Sequence, residues 1–273
     1  MRKLVLGVAL LVLSQPAAAA RPQDDARQIA AVWTDEQRAA FDAEQRGDAA
    51  AALAAAARLE ALAASSRPRG PAYVQALLST AWQVRSQFST PAELLARPEP
   101  TSDQLAVHAL WRALRIEAMA RGGETGQAHD ELLLMRKEAL RDKLADSDLP
   151  LLRIAEHVAV ARIELANRNY RGAAQRFSRA AEIEAKVGAS EPPVWHQPLD
   201  SSLGAALLKA GDARPALEAL TRALARRPDN VWALWGRGQA QKASGNVAGA
   251  DASMREVDKR WSGDRKWLTL DRL

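Results

Sequence analysis

"LGAALLKAGDARPALEALTRALARRPDN", residues Leu203–Asn230, is the stretch whose reading decides the fold. Gly204 and Gly211 stand seven residues apart, Ala216 and Ala223 follow at the same interval, and Pro228 closes the run. Apolar residues at helical spacing lie on both sides of Gly211-Asp212, which predicts two helices joined by a tight turn. Glycine at 211 supplies the positive φ that ends the first helix, and Pro228 blocks continuation of the second. The distance between packed helices is set by the side chains at their contact. The small residues Gly204 and Ala216 are therefore expected where the two helices meet.

The pattern returns on a shift of 34 residues: Gly204 maps to Gly238, Gly211 to Gly245 and Ala216 to Ala250. The second copy reads "VWALWGRGQAQKASGNVAGADASMREV". Leu203-Gly204, Ala216, Ala223 and Pro228 fall where the tetratricopeptide repeat has its Leu-Gly, its two small residues and its proline, so the stretch resembles that family. The second copy departs from the pattern at its end, with Val257 and no proline. Weaker copies lie upstream. "VAVARIELANRNYRGAAQRFSRAAEIE" runs from Val158 to Glu184, with its turn at Asn169-Tyr170. "LRIEAMARGGETGQAHDELLLMRKEAL" turns at Gly123, and "AAFDAEQRGDAAAALAAAARLEAL" turns at Gly47-Asp48. Tyr73–Gln87 reads as one more helix. Alternating strand patterns are absent. The expected fold is all-α, a helix–turn–helix repeat solenoid, and the resemblance implies a right-handed superhelix. The expected organisation is a signal peptide over 1–20, a helical region with degenerate repeats over 21–150, tetratricopeptide-like repeats over 151–261 and a capping tail over 262–273.

The first twenty residues read as a separate unit. Arg2 and Lys3 precede an apolar run, Leu4–Leu13, and Ala18-Ala19-Ala20 offers an A-x-A cleavage site. The run is about half of the ~20 residues a membrane-spanning helix needs, so no membrane span is expected after signal cleavage. The expected location is the periplasm. The chain has no cysteine, which excludes disulfides, thiolate metal sites and a lipidated cysteine. The net charge is +5, and positive charge concentrates after residue 150. Export and so small a net charge argue against a nucleic-acid partner.

Signals for catalysis are weak. His108, His129, His157 and His196 form no H-E-x-x-H arrangement. "GRGQAQ" at Gly236–Gln241 lacks the third glycine and the preceding strand of a dinucleotide loop. The carboxylate pairs Glu182/Glu184 and Glu256/Asp258 are two residues apart on helices and point to different sides. The expectation is a non-catalytic protein with no cofactor and no metal.

The resemblance implies that the first helix of each repeat lines a concave groove that holds peptides or protein segments. Its groove positions fall on Trp232, Trp235, Gln239 and Lys242 in the last repeat. They fall on Ser201, Ala205, Leu208 and Lys209 in the repeat before it, and on Val158, Arg162 and Leu165 one further back. Ser201, Ala205 and Gln239 break the family's carboxylate-clamp pattern, so that clamp is not carried over. Arg162, Lys209, Trp232, Trp235, Gln239 and Lys242 are the candidate partner-binding residues, because tryptophan and cations are typical anchors. Trp232 and Trp235 equally suit packing between repeats. In the insertion "GASEPPVWHQPLD", Trp195 and His196 either pack inward or touch a partner in a loop. In the tail, Trp261, Trp267, Leu268 and Leu270 either cover the apolar end of the last repeat or form a docking segment. The expected function is a scaffold or adaptor for a protein or peptide partner. The alternatives are an accessory subunit of an envelope enzyme and a small-ligand carrier for glycans.

Overall fold

A computed structural model describes residues 34–65, 71–101, 105–141, 150–188, 193 and 195–273. The proposed signal peptide and most of the proline-rich segment before Trp195 lie outside the described residues. Among those residues every regular element is helical. The helices, in chain order, are α1 (Asp35–Arg46), α2 (Ala49–Ser65), α3 (Pro71–Phe88), the short α4 (Pro91–Leu95), α5 (Leu105–Gly122), α6 (Thr125–Arg141), α7 (Pro150–Ala166), α8 (Tyr170–Val187), α9 (Leu199–Lys209), α10 (Ala213–Arg226), α11 (Val231–Ala243) and α12 (Val247–Arg260). Two 3₁₀ turns, Arg265–Trp267 and Leu270–Arg272, follow. The helices pair as antiparallel hairpins and each hairpin stacks on the next, so the fold is an all-α repeat solenoid.

Local sequence explains where the helices begin. Thr34 and Gln37 form a reciprocal capping box on α1, as do Thr90 and Glu93 on α4. Asn169, Asn230 and Asn246 cap α8, α11 and α12, each side-chain oxygen accepting a backbone N–H of the first turn. Hairpin contacts follow the small-residue rule read from Leu203–Asn230. A β-carbon added to Gly204 would stand 2.5 Å from Leu220 Cγ, so Leu220 of α10 fills the space that glycine leaves on α9. Ala216 packs with Leu220 at the same contact, and Ala223 is likewise fully buried. Among the described residues the main apolar core runs from Ala40 to Leu273, and a small second cluster joins Ala216, Leu220 and Ala240.

The turn residues show one departure. Gly47, Gly123, Gly211 and Gly245 take the left-handed conformation at the ends of α1, α5, α9 and α11. In the hairpin of α7 and α8 that role falls to Arg168, at φ 60°. A left-handed backbone crowds the β-carbon against its neighbours by roughly 1–2 kcal/mol. Arg168→Gly is expected to raise stability by about 0.5–1 kcal/mol once the extra freedom of glycine in the unfolded chain is allowed for. Urea unfolding of the two proteins checks this; an unchanged or lowered midpoint would show that Arg168 makes a compensating contact.

Candidate functional site

The interior is lined by residues of α3, α5, α7 and α9, among them Trp82, Glu117, Arg162 and Ser202. It is not an open channel, because two segments outside the repeats enter it. The first is the link before α9. Trp195 and His196 are both buried. His196 Nε2 stands 2.5 Å from Glu44 Oε2, and Gln197 Nε2 donates to Glu44 Oε1 at 2.6 Å. Glu44, on α1, is completely enclosed. Gln197 in turn accepts a bond from Asn230 Nδ2 at 2.7 Å.

These bonds join the ends of the solenoid. Val231 N donates to Gln45 Oε1 at 2.7 Å, and Trp232 Nε1 donates to the Glu44 carbonyl at 3.2 Å. The Ser262 and Gly263 amides donate to the Arg46 carbonyl at 2.9 and 3.0 Å. Trp261 lies on Gly47, where any β-carbon would clash with the indole. The first hairpin therefore docks on the last, and the superhelix closes on itself. An open depression of about 330 Å³ marks this seam, between Arg38, Phe41 and Asp42 of α1 and Arg226–Asp229.

The second segment is the tail. Its Trp267 meets Phe88 edge-on at 5.5 Å between ring centres and carries the Arg272 guanidinium 4.6 Å from its own. Arg272 donates to the Ser86 and Gln87 carbonyls at the end of α3. Arg162 of α7 donates to the Asp271 carbonyl at 3.2 Å and to a main-chain oxygen of Leu273 at 3.4 Å, which also accepts from the Ser202 hydroxyl. Lys209 pairs with the Asp271 carboxylate at 2.6 Å. The Leu273 side chain reaches α11, where a β-carbon on Gly236 would lie 2.9 Å from Leu273 Cδ1. The tail thus does more than cover the end repeat, since it crosses the interior to α3 and α7. Between tail, link and helices remains a cavity of about 40 Å³, room for a few water molecules.

Electrostatics in this interior are tightly arranged. Burial pushes the Glu117 carboxyl up, but the guanidiniums of Arg162, Arg121 and Arg272 and the Ser86 hydroxyl outweigh it and hold the group below its usual range. Burial, with Arg121 nearby, brings Arg272 down to about 10, so it remains charged at neutral pH. Near the mouth of the link, burial pushes Glu184 up to about 7 against the opposing effects of the Leu199 amide and Arg226.

The candidate residues are distributed unevenly around this site. Arg162 and Lys209 meet on the tail. Trp232 has no exposed surface and packs between Phe88 and Trp261, at 5.9 and 5.2 Å between ring centres. Trp235 is half-buried against the core, Gln239 is half-buried and Lys242 is exposed. Glu44, Glu117, Ser202 and Arg272 carry no mark in the sequence, because their partners are distant along the chain and follow no period. Among the described residues no group of three or more His, Asp or Glu side chains is arranged to hold a metal ion. No described helix is long and apolar enough to cross a membrane.

Residues 207–269 match the family model of the tetratricopeptide repeat. In overall shape the chain is similar to the crystal structure of BtubC (BKLC) from P. vanneervenii. The TM-score is 0.47 at 18% identity, over 83% of this chain and 91% of that one. No curated protein matches the chain.

Two measurements test this interior. Breaking one side of a buried charged cluster typically costs 3–5 kcal/mol, so Glu44→Ala is expected to lower stability by about that amount in denaturant unfolding. A loss under about 1 kcal/mol would mean that the closure is not held by this carboxylate. For Glu184, the folded state keeps a proton that the unfolded chain releases near pH 4.5. Its contribution to stability is present below that pH and is lost as the pH rises to about 7, by about 3 kcal/mol. Glu184→Gln keeps an acceptor for the Leu199 amide and is expected to flatten the stability profile between pH 4.5 and 7. An identical slope in both proteins would refute the assignment.

Proposed function

We propose, from the premise that residues 207–269 are tetratricopeptide repeat, that this protein is an exported, non-catalytic scaffold whose concave face receives a segment of another protein. The observation that carries the reading is the chemistry of that face. Arg162, Ser202 and Lys209 stand on two different helices and converge on one stretch of polypeptide, taking its main-chain oxygens and a carboxylate. A surface that recognises backbone oxygens and one acidic side chain suits a peptide, and repeat solenoids offer such surfaces along their inner curve. The glycan-carrier alternative draws less support, because Trp232 is enclosed and presents no face for a sugar to stack on. Periplasmic location rests on the Met1–Ala20 pattern of basic start, apolar run and A-x-A site.

Site-specific photo-crosslinking in living cells tests the reading. Crosslinkers at Gln239 and Lys242, groove positions in the repeat pattern, are expected to trap a defined exported protein. Crosslinkers at Leu133 and Val247, large apolar residues exposed on α6 and α12, serve as the comparison. Adducts formed equally or preferentially at Leu133 and Val247 would overturn groove binding.

A further inference from the structure

We infer that the segment Trp267–Leu273 is a ligand of the protein's own groove, and that a partner must present the same chemistry, an acidic residue closely followed by leucine, to displace it. The inference rests on the groove reading above and adds both the identity of the resident occupant and the pattern of its competitor.

A segment whose task is to cover the last repeat needs contact only with that repeat's apolar end. This one behaves otherwise. Its apolar anchor, Leu273, sits on α11, but its polar contacts reach back to three earlier helices. Lys209 on α9 takes the Asp271 carboxylate, Arg162 on α7 takes two main-chain oxygens, and the carbonyls at the end of α3 receive Arg272. The contacts are also mixed in kind, one ion pair, several main-chain bonds and one leucine side chain, as in recognition of a peptide. The Asp271 side chain is 58% exposed and Lys209 is 22% exposed, so the ion pair lies at the edge of the site, open to a competitor. Leu273, at 3% exposure, lies deepest.

Tethering raises the stakes of any competition. A short linker holds a segment at an effective concentration on the order of millimolar, and a binder whose open form is rare shows an affinity reduced by that rarity. Weakening the tethered copy while leaving the groove intact must therefore tighten binding of the same segment supplied separately.

The experiment uses the full chain, its Asp271→Lys variant and the double variant Lys209→Glu/Asp271→Lys, with a fluorescent synthetic peptide of residues 264–273 as probe. Asp271→Lys is expected to raise hydrogen exchange at the Leu268 and Arg272 amides, which the tail's own turns protect. It is also expected to bind the peptide at least about tenfold more tightly than the unsubstituted chain. The double variant, with the ion pair reversed, is expected to regain slow exchange. Circular dichroism and melting accompany each protein. Unchanged exchange in Asp271→Lys, faster exchange without tighter peptide binding, or loss of the helical fold would each overturn the inference, the last by making the segment an indispensable part of the core. Peptide exchange as expected with no crosslinks at Gln239 or Lys242 would uphold the self-ligand while removing the groove from partner binding. Groove crosslinks without peptide exchange would do the reverse.

Discussion

A carboxylate with no access to water organises the closure of this molecule. Glu44 lies at the end of α1, and an unpaired charge in such a place is strongly unfavourable. Its compensation comes from His196 and Gln197, about 150 residues further along the chain. Meeting that requirement draws the link before α9 into the concave interior and seats Trp195 there. It also brings the first hairpin against α11, where Trp232 and Gln45 complete the contact. Nothing in a stack of hairpins alone would close it end to end, because each repeat need contact only its neighbours. Closure gives a quasi-linear architecture long-range contacts, and their absence in an opened form would leave Glu44 and His196 without partners.

The interior that results is filled mainly by the protein itself. Link and tail occupy much of the space that the inner helices enclose and leave between them a cavity of about 40 Å³. Their modes of attachment differ. The link is held by enclosed side chains, and its Trp195, His196 and Gln197 are all buried. The tail is held by main-chain oxygens, one edge ion pair and one deep leucine. Buried networks respond steeply to loss of any member, whereas partly exposed pairs contribute little individually. The link therefore belongs to the scaffold, and the tail is the part that solvent and a competing chain reach first.

The cationic side of the interior is economical in its use of charge. Arg162 serves the Glu117 carboxylate on one side and the tail's oxygens on the other. Arg121 lies near the same carboxylate while donating to the Ser86 carbonyl in the last turn of α3 and the Ser89 carbonyl just beyond it. Glu117 stays ionised in a buried position because three guanidiniums converge on it, one of them, Arg272, supplied by the tail. Removal of the tail would leave Glu117 two of these cations, so an open groove keeps a balanced floor and gains free donors on Arg162 and Ser202.

The hairpins were legible in the sequence because their rules are local. A glycine or asparagine at the turn, a small residue where two helices touch and an apolar face at helical spacing are each satisfied within one repeat, so they recur and can be counted. That is why Gly204, Gly211, Ala216 and Pro228 predicted the units, and why even the degenerate copies at Gly47 and Gly123 turn where expected. Arg162 and Lys209 were groove candidates only through the resemblance to the repeat family, and in the structure both meet the tail. The local rules could not tell that Trp232 is enclosed, since what covers it comes from α3 and from beyond α12. Nor could they show that Glu44 needs His196, or that Asp271 needs Lys209. Those pairings join residues far apart in the chain, obey no period and exist only once the superhelix has curled. The sequence determined the repeating unit, because helix and turn energetics act over a few residues. Only the tertiary structure decided what fills the interior, because that depends on the closing of the whole chain.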